Sequence, residues 1–433
     1  MSSPSSVSVG IDFGTSNTVV AVAGRDGPPR VVRFAHGGEE LTTFMSALCW
    51  WHERVDGVNT KRHDGGPWAV DAFLTAITNL RFIQSFKTFA ASASFRDTIV
   101  FGERMTYEAL MATFLATVRR HAGLDLGAGR VVMGRPVRFA GSNPDDALAM
   151  SRYRDAAGRL GVANPGFVYE PVGAAFYYAR ALTTDATVLV ADFGGGTTDF
   201  SVLRFEKQGN RRVARPLGHS GIGIAGDTFD YRFIDRIVSP RLGKGSDYLS
   251  FGKSLTIPGH FYANFARWNQ LSMMKANGDL KELRSLARSA VEREALERFI
   301  EIVEYDLGFA LYRAVSAAKR ELSIRDATDF VFADGSVDIR ARITRTDFES
   351  WIADDVARIR ETLDAALARA AVTSARIDKV FLTGGTSLIP AIRRIFSERF
   401  GEDRLVSGDQ FESIAAGLAL IGREDDFADW AVP

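Results

Sequence analysis

Apolar and β-branched residues flank a short turn rich in Gly, Thr and Asp at two widely separated places in the chain. The first is residues 9–22, with the sequence VGIDFGTSNTVVAV, and the second is residues 188–205, VLVADFGGGTTDFSVLRF. Each has an apolar strand, an Asp-Phe-Gly turn and a second β-branched strand, which is the pattern of a β-hairpin. The recurrence of so similar a pattern predicts a duplicated domain.

Strand and helix patterns alternate along most of the remaining chain. Residues 130–137 and 166–171 have the composition of strands, and each precedes a helical pattern. Near the end, residues 379–401 give a strand, a Gly-Gly turn and an amphipathic helix with Pro390 close to its start. Such alternation predicts an α/β fold.

Two stretches depart from this alternation and are predicted to be insertions. Residues 38–128 mix turns, aromatic-rich strands and a helix, whereas residues 233–323 pass from a Gly-rich loop into long helical runs. The pattern over 291–323 favours two packed helices over a coiled coil. The predicted division begins with a disordered tail over 1–6, followed by lobe I over 7–186 and lobe II over 187–405, each with one insertion. Residues 406–433 are predicted to form a C-terminal helix that returns to lobe I, and a short tail.

Composition narrows the class of protein without choosing a function. The 433 residues are 46% hydrophobic and 24% charged, as in an ordinary globular protein, and exceed one compact core. Because 53 Lys plus Arg balance 53 Asp plus Glu, we expect neither nucleic acid nor an anionic membrane as partner. The single cysteine, the absence of a signal-like start and the lack of a membrane-length apolar run favour a cytoplasmic location.

The two predicted turns are suited to binding phosphate. Gly and Thr at a tight turn let backbone N–H groups approach an anion, so two such turns can hold a polyphosphate from both sides. Asp12 and Asp192 follow apolar strands directly, where carboxylates hold Mg²⁺ through its water shell. The alternative is that both segments are ordinary hairpin turns.

Other candidate residues each have a plainer alternative. Glu170 lies at a strand end and can polarise a water molecule, or it caps the helix that follows. Asp199 is either a third carboxylate of the site or a solvated turn residue. Lys87 lies in an aromatic-rich segment, where a surface lysine with a buried stem is the ordinary explanation. The Gly384–Gly385 turn suits the close approach of a nucleoside, although a turn without a ligand would look the same.

Together and in this order, these segments resemble the nucleotide-binding domain of the heat shock protein 70 family, which belongs to the actin-like ATPase superfamily. GIDFGTSNTVVAV is similar to the family's first phosphate loop, DFGGGTTDFSV to its second, and VYEPVGAAFYYA to the segment that joins the lobes. The resemblance covers nearly the whole chain. It implies a duplicated, ribonuclease H-like α/β fold that binds ATP or ADP with Mg²⁺, K⁺ being a further candidate ion.

The resemblance also implies a role for particular residues. Asp12 and Asp192 would organise the metal, and Lys87, Glu170, Asp192, Thr197 and Asp199 would form the catalytic set. The residues that would border the nucleotide are Gly14, Thr15, Ser16, Asn17, Gly194, Gly195, Gly196, Thr197, Gly226, Asp227, Lys319, Ser323, Gly384, Gly385 and Ser387.

Departures from the family pattern put nucleotide affinity and base preference in doubt. Ser316 replaces a glutamate that binds the ribose, and Leu388 replaces an arginine that lies against adenine. The aromatic-rich segment within 240–281 resembles the divergent YegD-like branch. The family's linker and peptide-binding domain are not expected here, so a protein client or co-chaperone would be engaged in another way.

The sequence favours a slow, Mg-dependent ATPase whose lobes close around the nucleotide. One alternative is a sugar-type small-molecule kinase of the same superfamily, which predicts turnover stimulated by a sugar. A second is a nucleotide-binding regulator without catalysis, compatible with Ser316 and Leu388. A third is a filament-forming actin-like protein, against which the predicted helical insertion argues.

Overall fold

The structure is a computed structural model that describes residues 7–56, 58–75, 80–127, 129–141, 143–208, 211–271, 273–407, 412–424 and 426–432. The predicted disordered tail over 1–6 lies outside the described residues. The chain divides into two compact units. The first comprises Met1–Ala225, Arg358–Ser387 and Ile392–Pro433, and the second comprises Gly226–Ala357 and Leu388–Ala391.

Most of the strands lie in the first unit and a smaller number in the second. In chain order they are β1 Val7–Phe13, β2 Asn17–Gly24, β3 Arg30–Val31, β4 Phe34–His36, β5 Glu39–Leu41, β6 Phe44–Met45, β7 Ala47–Val55, β8 Val58–Gly65, β9 Leu80–Gln84, β10 Asp97–Val100, β11 Glu103–Thr106, β12 Arg130–Arg135, β13 Gly166–Tyr169, β14 Ala186–Phe193, β15 Thr198–Gln208, β16 Arg211–Ile222, β17 Asp247–Ser250, β18 Lys253–Thr256, β19 Ala327–Asp334, β20 Val337–Thr344, β21 Lys379–Thr383 and β22 Leu405–Ser407.

The α-helices include both long amphipathic segments and single turns. They are α1 Gly66–Thr75, α2 Tyr107–Ala122, α3 Asp146–Arg159, α4 Glu170–Ala179, α5 Gly226–Phe233, α6 Gly259–Phe265, α7 Trp268–Leu271, α8 Met274–Asn277, α9 Asp279–Ala287, α10 Arg293–Glu304, α11 Gly308–Ile324, α12 Arg345–Trp351, α13 Ala353–Arg369, α14 Pro390–Phe400 and α15 Ser413–Arg423. Short 3₁₀ turns at Phe86–Phe89 and Gly385–Leu388 bear on the site described below.

The two main sheets of the first unit repeat one arrangement. One has the order β13-β12-β1-β2-β3, with β6 also paired to β2, and the other has the order β16-β15-β14-β21-β22. In the first sheet, β1 is antiparallel to β2 and parallel to β12. In the second, β14 is antiparallel to β15 and parallel to β21. Both predicted hairpins are therefore confirmed, and each opens a sheet of mixed direction.

Burial explains why the sequences of the central strands are nearly continuous runs of apolar residues. Every residue of β14 is buried, as expected for a strand covered on both faces. The last helix, α15, is buried from Ser413 to Gly422 and packs on β1 and α4. Ile414 and Leu418 of that helix share a core with Val172 of α4. This packing supports the end of β1, which carries Asp12, and the start of α4, which carries Glu170.

The second unit contains the segment expected to be a helical insertion. Residues 291–323 form two separate helices, α10 and α11, as predicted. The residues after Pro240 do not pass directly from a loop into long helices, because β17 and β18 form a hairpin there and α6 to α9 are short. Each strand of this hairpin has only four residues, too few to show a clear alternation in the sequence. Among the described residues, no helix is both long and apolar enough to cross a bilayer.

Candidate functional site

The first turn joins β1 to β2 and is held by one serine. Ser46 donates its hydroxyl to the carbonyl oxygen of Gly14 at 2.7 Å, and its backbone N–H donates to Ser16 at 2.9 Å. A side chain on Gly14 would lie 2.2 Å from the carbonyl oxygen of Asn17, so the turn is too tight for any other residue. Asp12, at the end of β1, is half-buried beside this turn.

The second turn joins β14 to β15 and is closed by its own backbone. The N–H of Gly194 donates to the carbonyl oxygen of Thr197 at 3.0 Å. Asp192 is buried at the end of β14 and pairs in register with Asp199 of β15. The side chain of Thr383, which ends β21, donates a hydrogen bond to Oδ1 of Asp192. Thr383 was not among the site residues predicted from the sequence, although it is the last residue of a strand with an apolar pattern.

The two turns and the segment carrying Lys87 meet at one place. A Cβ atom on Gly196 would lie 3.1 Å from the hydroxyl oxygen of Thr15 in the first turn. The same Cβ atom would lie 3.6 Å from Cγ2 of Thr88. The absence of a side chain at Gly196 therefore leaves space between two glycine-rich turns and beside Thr88, the residue that follows Lys87.

Lys87 is buried and ion-paired, contrary to the idea of a surface lysine. Its Nζ lies 2.7 Å from Oε1 of Glu170, and the two side chains are only 8% and 5% exposed. The ammonium also lies 5.9 Å from the ring centroid of Phe13, the residue after Asp12. Burial alone would lower the pKa of Lys87, but Glu170 and then Asp12 reverse the effect and hold that pKa above its ordinary value. The lysine is therefore a fixed cation.

The carboxylates around Lys87 repel one another. Burial, and then the charge of Glu170, raise the pKa of Asp192 to about 7. The pKa of Asp12 is also raised, by burial first and then by Glu170, while Lys87 opposes the shift. A single lysine thus lies among carboxyl groups whose ionisation is disfavoured by burial and by neighbouring negative charge. Strongly perturbed ionisable groups gathered in this way are characteristic of functional sites.

Asp199 is fully buried, so it is not a solvated turn residue. Its Oδ1 accepts hydrogen bonds from the backbone N–H groups of Val137, at 2.9 Å, and Arg138, at 3.2 Å. These residues follow β12 of the other sheet. Burial, followed by the charges of Glu170 and Asp192, raises the pKa of Asp199. Asp199 therefore ties the second hairpin to the end of a strand in the first sheet.

The Gly-Gly turn after β21 lies against the second hairpin. Gly384 has a φ of 76°, in the left-handed region that favours glycine. A Cβ atom there would lie 1.9 Å from the carbonyl oxygen of Phe193, so the close approach itself also requires glycine. Ser387 is buried and donates its hydroxyl to the carbonyl oxygen of Gly384 at 2.6 Å.

The remaining candidate residues lie together in the second unit. Nζ of Lys319 is 2.5 Å from Oδ1 of Asp230 and donates to the carbonyl oxygen of Gly226 at 3.2 Å. Burial, followed by the charge of Asp230, raises the pKa of Asp227 to about 7. Ser323 donates to the carbonyl oxygen of Lys319, one turn earlier in α11. Asp230 was not among the predicted site residues, although it lies three positions after Asp227 on the same helix.

Two carboxylates beside the turns are chemically suited to a hydrated Mg²⁺. In the described part of the chain, no group of three or more His, Cys, Asp or Glu side chains is arranged to hold a metal ion. Mg²⁺ usually retains several waters and binds one or two carboxylates together with substrate phosphates. Asp12 and Asp192 supply such a pair beside the two turns.

Two mixed sheets of the same arrangement, each with a glycine-rich turn and an acidic strand end, define the actin-like class of ATPase fold. The family model described as Hsp70 protein matches residues 53–245 and 308–423, which is more than half of the chain. This chain belongs to the Hsp70 family. The fold and the family expected from the sequence are thus confirmed.

One curated relative shows how far the similarity extends. The chain is 27% identical over 427 residues to a protein named "Chaperone protein DnaK" from Deinococcus deserti. The alignment covers 95% of this chain and 58% of the relative. The chain thus spans little more than half the length of that relative. Residues 246–307, which include the β17–β18 hairpin, fall between the two ranges matched by the family model.

Proposed function

We propose that this chain binds ATP between its two glycine-rich turns and hydrolyses it slowly. The observation that carries the proposal is the meeting of three elements in the first unit. Gly196 of the second turn faces Thr15 of the first, and both lie beside the segment that carries the buried Lys87–Glu170 pair. Paired backbone turns with a fixed cation are suited to a polyphosphate.

The residues of the chain would act mainly by position and charge. Backbone N–H groups of the turns over 14–16 and 195–197 would bind phosphate oxygens. Lys87 would stabilise negative charge on the terminal phosphate, and Glu170 would orient the attacking water. Phosphoryl transfer requires little covalent participation by the protein, so positioning and electrostatics supply most of the acceleration.

Mg²⁺ would be held by Asp12 and Asp192 together with phosphate oxygens, and would supply neutralisation of phosphate charge. Burial, and then the charge of Glu170, raise the pKa of both Asp12 and Asp192. A divalent cation would relieve that repulsion. We therefore propose that nucleotide affinity depends on Mg²⁺.

The first test combines calorimetric titration with ATP and ADP, with and without Mg²⁺, and phosphate release from the same sample. We expect wild-type protein to bind both nucleotides with Mg²⁺ and to release phosphate slowly. Lys87→Met should still bind nucleotide but lose release by about 100-fold, because a fixed cation next to developing charge is worth several kcal/mol.

The control must account for folding, since removing Lys87 leaves the buried Glu170 unpaired. Thermal unfolding of Lys87→Met should therefore accompany the assay. Lys61→Met, which removes an exposed ion pair with Glu103 in the same unit, is the matched variant and should retain wild-type release. Wild-type protein that binds no nucleotide contradicts the proposal, whereas binding without turnover favours the non-catalytic regulator.

Closure of the lobes around the nucleotide stays a prediction, and so does engagement of a client or co-chaperone. The relative's name is that of a chaperone, which makes a protein partner the natural recipient of any nucleotide-dependent change. A partner would be recognised experimentally by stimulated phosphate release. Stimulation by a sugar instead would favour the kinase alternative.

A further inference from the structure

The segment that carries Lys87 has little regular structure of its own. Lys87 lies in a single 3₁₀ turn, Phe86–Phe89, preceded by Ser85 in the left-handed region with a φ of 52°. The chain then runs through residues 90–96 before β10 begins. A side chain on so short a turn can be placed accurately only if the surrounding structure holds the backbone.

Arg152 provides that hold from the middle of α3. Its Nη1 donates to the carbonyl oxygens of Phe89, Ala90 and Ser92, at 2.9, 2.8 and 3.1 Å. Its Nη2 donates to the carbonyl oxygen of Phe95 at 2.5 Å. A single guanidinium thus binds four carbonyl groups of the segment that follows Lys87.

The arginine is built into the interior and does not merely lie on the surface of the segment. Its side chain is buried, and its guanidinium carbon lies 5.4 Å from the ring centroid of Tyr107. Charge-assisted hydrogen bonds are the strong ones, and a buried charge requires them. Arginine offers five N–H donors in a rigid planar fork, whereas a lysine ammonium offers three donors at a single point.

The contact reaches Lys87 through the backbone. The N–H of Ala90 donates to the carbonyl oxygen of Lys87 at 3.0 Å, and the carbonyl of the same Ala90 accepts from Arg152. The N–H of Ser92 likewise donates to Phe89, whose carbonyl also accepts from Arg152. Releasing the guanidinium would therefore loosen the turn on which Lys87 stands.

We propose that Arg152 is a positioning residue for catalysis, which holds the Lys87 turn so that the ammonium reaches the terminal phosphate of the bound nucleotide. The inference rests on the proposed function, since it assigns to Lys87 the role given above. A displacement of about 1 Å in a catalytic group can reduce a rate by about 100-fold. Nucleotide binding by the two turns does not require Arg152, so its loss should act on turnover.

The test uses Arg152→Met with Arg154→Met as its matched control. Arg154 lies two residues later on the same helix and is exposed. Three properties are measured: kcat and KM for ATP, the rate at which an N-hydroxysuccinimide ester acylates Lys87 in the nucleotide-free protein, and hydrogen exchange over residues 86–95. Acylation is followed by mass spectrometry with Lys61 as internal reference, at a temperature well below the unfolding transition.

We expect Arg152→Met to lower kcat by about 10-fold to 100-fold with KM changed by less than about threefold. Lys87 should be acylated about tenfold faster than in wild type, and exchange should rise over 86–95. Arg152→Lys, which keeps the charge but not the fork, should recover part of kcat and part of the protection of Lys87. Arg154→Met should match wild type in all three measurements.

A lowered melting temperature with unchanged kcat and unchanged Lys87 acylation would show that Arg152 is only structural and overturn the proposal. If Arg152→Met does not fold, Arg152→Gln takes its place under the same criteria. If wild-type protein has no ATP turnover, the proposed function fails, but acylation and exchange still decide whether Arg152 holds the Lys87 turn. The two failures are therefore distinguishable.

Discussion

In the first hairpin Asp12 pairs with Val19, and in the second the corresponding residue, Asp192, pairs with Asp199. The strands have the same directions, but the turns are held differently. Ser46, from outside the hairpin, fixes the first turn, whereas the second is closed by its own Gly194 and Thr197. Asp12 is half-buried, while Asp192 is buried and accepts a hydrogen bond from a threonine.

The two hairpins share a backbone arrangement, but different residues surround their two aspartates. The common register places one acidic strand end beside each turn, and this follows from backbone pairing alone. The different surroundings then give the two carboxylates unequal freedom. Asp192 is fixed by burial and by Thr383, so we expect the second hairpin to contribute more to catalysis than the first.

The largest expected effect is at this pair of carboxylates. Asp192→Asn should reduce single-turnover ATP hydrolysis by about 100-fold, or about 2.7 kcal/mol, whereas Asp12→Asn should reduce it by about tenfold. The measurement is single-turnover hydrolysis at saturating ATP over a range of Mg²⁺ concentrations. Equal losses would show that the hairpins act symmetrically, and intact hydrolysis in Asp192→Asn would remove the basis of the proposed function.

A second prediction contrasts the glycines of the two turns. Gly14→Ala should destabilise the protein by about 1–3 kcal/mol, because the new methyl group would meet a backbone oxygen that cannot withdraw. Gly196→Ala should change stability by less than about 1 kcal/mol, because its nearest neighbour is the Thr15 hydroxyl, which can rotate.

The Gly196 methyl group would nevertheless occupy the space between the turns. ATP affinity of Gly196→Ala should therefore fall about tenfold, or about 1.4 kcal/mol. Denaturant unfolding and calorimetric titration of both variants check the pair. Wild-type ATP affinity in Gly196→Ala would show that the space between the turns does not hold phosphate.

The smallest expected effect concerns a titratable group at the far edge of the second sheet. His219 of β16 is partly buried, and its Nδ1 lies 2.6 Å from the hydroxyl oxygen of Ser201. Burial lowers the pKa of His219 to about 4, so the folded protein disfavours the charged ring. Because the folded-state pKa lies below the unfolded one, stability is complete above about pH 6.5 and is lost as pH falls towards 4.

Between pH 7.5 and pH 5, His219 should account for about 1–2 kcal/mol of lost stability, after allowance for its partial exposure. His219→Gln should abolish this part of the acid sensitivity while leaving stability at pH 7.5 within about 1 kcal/mol of wild type. Urea unfolding at both pH values measures the difference. An unchanged pH dependence in the variant would assign the acid sensitivity to other groups.

The sequence predicted the hairpins, the α/β class and the two helices within 291–323 because each has a local pattern of adequate length. It did not predict β17 and β18, since four-residue strands lack a readable period. Thr383, Asp230 and Arg152 were also missed. Their roles arise from contacts with residues distant in the chain or from hydrogen bonds to backbone carbonyls. Such contacts cannot be recognised from the composition of the sequence or from the spacing of its residues.

By itself, the sequence determined which strands end in an aspartate and which turns contain glycine. The pattern of apolar residues sets the local conformation of the strands, and the glycines set where two backbone segments can approach closely. Only the tertiary structure decided that Lys87 is a buried partner of Glu170, 83 residues away, and not a solvated surface lysine. It also decided that Asp199 bonds the backbone of the other sheet and that Arg152 holds the Lys87 turn. The physical reason is that the pKa of an ionisable side chain depends on desolvation and on nearby charges. Its position depends on hydrogen-bond partners, and folding brings both kinds of neighbour from elsewhere in the chain.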